Sequence, residues 1–142
     1  MISTSELHPM LVHFPIALVI VGFIAELASV YFKKELSLSK MGFYLLIFGT
    51  LSAIAAGMAG ALFTGEMSGA AGAIRDSHAM YAKITIVALI IASVLRIVIL
   101  VKKNENTRLK WVAFIFYGVA AISVSITGFF GGTLVYNYMM SI

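Results

Sequence analysis

The chain of 142 residues has no cysteine, two prolines, three histidines and one tryptophan, and only 11% of its residues are charged. Each scarcity excludes something. Without cysteine there is no disulfide, no thiolate metal site, no thiol nucleophile, no iron–sulfur cluster held by the chain and no CxxCH haem attachment. With so little charge there is no soluble exterior. Soluble domains run about 25% charged and about 45–50% apolar, whereas this chain is 61% hydrophobic with a mean hydropathy of +1.03. Lipid solvates such surface directly; water does not. Nucleophile–base pairs, phosphate loops and HExxH motifs are also missing, so an enzyme with its own substrate is not the expected role.

What is there is four apolar stretches, at 13–32, 43–63, 80–101 and 111–136. Each reaches the ~20 residues that a helix needs to cross a hydrocarbon core of ~30 Å. In lipid every backbone N–H and C=O must be satisfied within its own segment, which selects helices, and the alternation of barrel strands is absent. The expected fold is all-α: one integral membrane four-helix bundle over residues 1–142, with no second domain. The stretch before 13 carries Glu6 and no Lys or Arg, and the apolar run exceeds the ~7–15 residues of a signal-peptide core. The first segment is therefore expected to remain as a helix.

Charge sets the expected orientation. Lys33, Lys34 and Lys40 follow the first stretch, and Lys102, Lys103, Arg108 and Lys110 follow the third, opposed only by Glu35 and Glu105. Glu6, Glu66, Asp76, Arg75 and Lys83 belong to the other side and nearly balance. The positive-inside rule then places the lysine-rich loops, including 104–108, in the cytoplasm and both termini outside, an N-out/C-out arrangement. These loops account for the net charge of +4, and no basic helical face with interleaved aromatics suggests nucleic acid. Glu26 and Arg96 lie deeper, at similar depth in the first and third stretches. An isolated charge there costs at least ~2.5–3.5 kcal/mol, so the two are expected to pair.

All three histidines fall at the expected outer face: His8 and His13 at the start of the first stretch, His78 just before the third. Pro15 suits the first turn of a helix, which puts the helix start near His13. Pro9 then fixes an extended or turn approach and leaves His8 on a lead-in. Neutral imidazole is a ligand for haem iron, copper and zinc. His13 and His78 are the expected pair, with His8 an orienting neighbour and Glu66 or Tyr136 accepting an imidazole N–H. Met10, Met67, Met80, Met139 and Met140 share this side, and thioether with imidazole suits Cu(I). Small residues at Ala53, Gly57 and Ala61, at Ala56 and Gly60, and at Gly128, Gly131 and Gly132 allow close helix packing, or room for a flat macrocycle.

The run HPMLVHFPIAL at 8–18 and the closing GGTLVY at 131–136 resemble the DUF2231 family of bacterial membrane proteins, over nearly the whole chain. The resemblance implies a location in the bacterial inner membrane. It also implies that His8, His13 and His78 match the family's histidines, and Gly131, Gly132 and Tyr136 its closing motif. Related domains are fused to Rieske or c-type cytochrome modules, which implies membrane redox chemistry and a redox complex as partner. The leading expectation is a small electron-transfer protein with a non-covalent b-type haem near the outer face. The alternatives are a copper- or zinc-binding membrane protein, in which His8 joins the ligands, and a cofactor-free accessory subunit of a respiratory or photosynthetic complex. Homo-oligomerisation stays open.

Overall fold

The structure, a computed structural model, describes residues 4–103 and 106–139. Asn104, Glu105 and Met140 lie outside the described residues, as do the side chains of Glu6 and Met139. The chain is all-α: α1 (Thr4–Leu11), α2 (His13–Tyr31), α3 (Leu36–Phe63), α4 (Gly69–Val101) and α5 (Thr107–Leu134), closed by a π-helical turn, Val135–Met139. Among the described residues four helical segments are long and apolar enough to cross a membrane: His8–Tyr31, Leu36–Phe63, Gly69–Val101 and Thr107–Tyr138. Their exposed side chains are themselves apolar, among them Phe48, Leu51, Val87 and Ile122, as expected of a surface that meets lipid rather than water.

Two boundaries differ from the sequence expectation, and both matter. The approach to the first span is helical, not extended: Pro9 sits inside α1, and the break before α2 is confined to Val12, itself in the right-handed helical region. Pro9 and Pro15 each remove one N–H donor from the ladder, yet the chain keeps its direction through Val12 N–H donating to His8 O (3.1 Å) and Ile16 N–H to Val12 O (3.4 Å). The other change is at α4, which starts at Gly69 rather than near residue 80. Arg75, Asp76, Ser77 and His78 interrupt the apolar run without interrupting the helix, because the segment around them is rich in the strong helix former alanine. The loop before α4 shrinks to residues 64–68, and Asp76 and His78 belong to the helix.

The helices pack as two hairpins, α2 with α3 and α4 with α5, and α3 also meets α4 as α2 meets α5. The hairpins repeat one another. Buried Pro15, Val19 and Gly22 of α2 correspond in spacing to buried Thr85, Leu89 and Ala92 of α4. Buried Gly42, Leu46, Gly49, Thr50, Ala53 and Ala56 of α3 correspond, position for position, to buried Ala113, Tyr117, Ala120, Ala121, Val124 and Thr127 of α5. Parallel repeats of this kind face one another across a seam along the bundle. Midway along it, Val19, Leu46, Leu89 and Tyr117 are 0–2% exposed and form a closed apolar layer. Alanines surround that layer and let the backbones approach. On α3 the buried glycines and alanines are Gly42, Gly49, Ala53, Ala56 and Ala59, while Ala61 of the expected pattern is exposed.

Candidate functional site

Polar chemistry lies on both sides of the apolar layer. At the lysine-rich end, Arg96 of α4 reaches Glu26 of α2 with both terminal guanidinium nitrogens, Nη1 to Oε1 at 2.7 Å and Nη2 to Oε2 at 3.3 Å. Nη2 also donates to Ser39 Oγ at 3.2 Å. The pair is largely buried, with side-chain exposures of 19% and 9%, so the expected pairing of the two deep charges is present. A fork-shaped contact satisfies both partners without water. Arg96 follows Leu89 on α4 by the same interval as Glu26 follows Val19 on α2, so the two charges hold matching places in the repeat. Equivalent positions carry opposite charges, and the seam closes there by direct contact.

The opposite end is hollow. A cavity of about 400 Å³ opens between the ends of all the long helices, lined by His8, His13 and His78 and otherwise mainly by apolar and small residues, including Ile16, Ala53, Gly57, Val124 and Gly128. His8 precedes Pro15 by the same interval as His78 precedes Thr85, so these two histidines also occupy equivalent positions, and their surroundings repeat. The His8 ring bonds through Nδ1 to the carbonyl of Ala56 (3.0 Å); the His78 ring bonds through Nδ1 to the carbonyl of Thr127 (2.9 Å). A carbonyl oxygen only accepts, so each Nδ1 carries the proton, and in the neutral ring Nε2 keeps its lone pair. Neither Nε2 has a hydrogen-bond partner among the described residues. The ring centres stand 6.0 Å apart with planes at 89°.

Glycine makes room for both rings. A Cβ on Gly60 would stand 2.9 Å from His8 Cε1, and one on Gly131 would stand 3.1 Å from His78 Cε1. These contacts are too tight for a methyl group without displacing an imidazole. Each glycine lies one helical turn beyond the carbonyl that its histidine bonds. One hairpin therefore builds a seat for one imidazole, and the chain does it twice.

The remaining expected site residues take other places. His13 is exposed, and its Nδ1 donates to the carbonyl of Pro9 at 2.7 Å. The ring thereby occupies a carbonyl at the helix break; it touches the cavity wall but is not the neighbour of His78. The structure brings His8, not His13, to His78. In the sequence Pro9 sets His8 apart on a lead-in; because α1 is helical through Pro9, His8 is carried to α3 instead. Tyr136 reaches the cavity from the π-helical turn but is 72% exposed. Glu66 is exposed in the loop before α4 and does not line the cavity. The imidazole N–H groups go to main-chain carbonyls instead. Of the described methionine side chains on this side, Met67 lines the cavity, whereas Met10 and Met80 are exposed. Among the described residues no three His, Asp or Glu side chains gather as a metal cluster.

One lining residue entered the sequence argument only as a charge in the orientation count, not as a site residue. Arg75 stands one helical turn before His78 on α4, and among the described residues it is the only Asp, Glu, Lys or Arg in the cavity wall. Its sequence signal is the spacing of three to His78, which puts both on one face once the helix is known to extend that far.

Residues 4–142 match the family described as predicted membrane protein DUF2231. The chain belongs to that family and is a multi-pass membrane protein with four candidate spans. Neither a curated protein nor a solved structure matches it significantly.

Proposed function

We propose that the protein is a small membrane electron carrier in which His8 and His78 would hold a b-type haem between the two hairpins through their Nε2 atoms. The observation that carries this reading is the repeated seat: two imidazoles, each fixed by its Nδ1–H on a carbonyl, each with an Nε2 that has no partner among the described residues, beside one apolar cavity. Such orientation by a hydrogen bond on the far nitrogen is how ligating histidines are held. The ring centres stand 6.0 Å apart, a separation at which two imidazoles could share one ion at ~2.0–2.1 Å from each nitrogen.

When bound, haem iron supplies one-electron chemistry. The chain's part is to hold the rings, to present small residues to the macrocycle and to exclude water with the apolar layer below. That layer also separates the cavity from the Glu26–Arg96 pair. Met67 on the same wall favours a second occupant, Cu(I), held by the two imidazoles and a thioether; zinc would call on the same histidines. The lysine-rich loops support an orientation with the histidine end outside the bacterial inner membrane, where a c-type cytochrome or Rieske-type protein would exchange electrons with it.

Absorption spectra of gently purified protein, oxidised and then reduced, test the proposal. A Soret band with low-spin character is expected; it should be lost in His8→Ala and in His78→Ala and kept in His13→Ala. Metal without a Soret band would transfer the site to copper or zinc. A colourless, metal-free protein that takes up no added haem would leave the accessory-subunit reading. Orientation is tested separately: single cysteines at Ser68 and Lys34, in a chain with no other cysteine, should label oppositely with an impermeant reagent, Ser68 from outside.

A further inference from the structure

We infer that Arg75 anchors an acidic edge of the cavity's occupant and so fixes which way round it sits; the inference rests on the haem reading above and names the part of the ligand that is recognised. The two histidines cannot set that orientation. They occupy equivalent positions in the repeat, with equivalent carbonyl and glycine contacts, so an occupant rotated between them meets the same pair of donors. A single orientation along the seam requires a group that distinguishes the open end of the cavity from its apolar floor.

Arg75 is such a group. Its counterpart in the first hairpin, at the same interval before His8, is Ser5, and no other fully charged side chain among the described residues lines the cavity. It is partly buried, yet it has no ion pair or hydrogen bond to its side chain among the described residues. A guanidinium at the edge of an apolar cavity calls for an anion, and its planar fork matches a carboxylate. Haem b has that asymmetry built in: its two propionate carboxylates share one edge, and the opposite edge carries only methyl and vinyl groups. Arg75 would hold the acidic edge, while the small and apolar lining, Ala53 and Val124 among it, would suit the rest of the group. A bare copper or zinc ion has no edge for Arg75 to recognise.

The test titrates apo-protein in detergent with ferric protohaem and with its dimethyl ester, in which both carboxylates are masked. The native chain should bind the ester roughly tenfold more weakly, the scale of one charge-assisted contact. Arg75→Gln should weaken protohaem by a similar factor and leave the ester unchanged, while Arg75→Lys should recover part of the loss. Equal affinity of the native chain for both haems would overturn the role of Arg75 while leaving the haem site intact. Equal weakening of both haems in Arg75→Gln would do the same, by showing a general effect on the fold. No Soret band with either haem would remove the haem reading, and this inference with it.

Discussion

The two ends of the seam begin from the same geometry and finish differently. At one end the repeat brings together Glu26 and Arg96, which are complementary, so they close on each other at 2.7 Å. At the other it brings together His8 and His78, which are alike. Each donates its N–H hydrogen bond to a carbonyl of its own hairpin, and two lone pairs cannot bond each other. Like groups across a seam need a third party; unlike groups do not. That difference fits the packing: the end with complementary charges is closed by direct contact, and the end with like groups holds the cavity.

The comparison can be broken most severely at the closed end. Glu26→Leu should cost about 3–5 kcal/mol by leaving Arg96 buried and unpaired. The double variant Glu26→Leu/Arg96→Met should recover most of that loss. Thermal unfolding in detergent, followed by loss of monodisperse protein, measures both. A double variant no better than the single would mean that the pair is not self-contained.

At the open end the test is crowding. Gly60→Val and Gly131→Val each place branched carbon where an imidazole now sits, and each should cost about 1–3 kcal/mol while displacing one ring. Because the seats repeat, the two variants should harm ligand binding to a similar degree, as read by haem titration. A large effect in one and none in the other would show that the histidines are not equivalent.

Between the ends, Thr50 and Ser93 bond across the seam at 2.8 Å. Thr50 Oγ1 donates to the carbonyl of Leu46, so Ser93 supplies the proton to Thr50. Ser93→Ala should cost only about 0.6 kcal/mol, the average for such contacts in membranes, and should leave ligand titrations unchanged. The smallest effect is expected of His13→Ala, which removes one exposed hydrogen bond to Pro9 and should shift thermal unfolding by less than the error that separates the other variants.

Sequence and structure divide along these same residues. The four spans were legible because hydropathy is additive along a chain and lipid imposes one length on every crossing. The Glu26–Arg96 pair was legible because two charges at matching depth have few ways to avoid isolation. The histidine pair was not. Pro9 and Pro15 permit either an extended lead-in or a bent helix, and only packing of α1 against α3 decides between them. Arg75 was hidden in the same way, since its place in the cavity wall depends on α4 starting well before its apolar run. The repeat was hidden because its copies share positions of burial more than residue types: Leu46 answers to Tyr117, and Gly49 to Ala120. By itself the sequence determined that the chain enters a membrane as helices, for apolar surface and backbone satisfaction are counted residue by residue. Which histidines meet, and that they meet as equivalents, was decided by tertiary structure, because those contacts join residues far apart in the chain that only the packing of two hairpins brings to one depth and one seam.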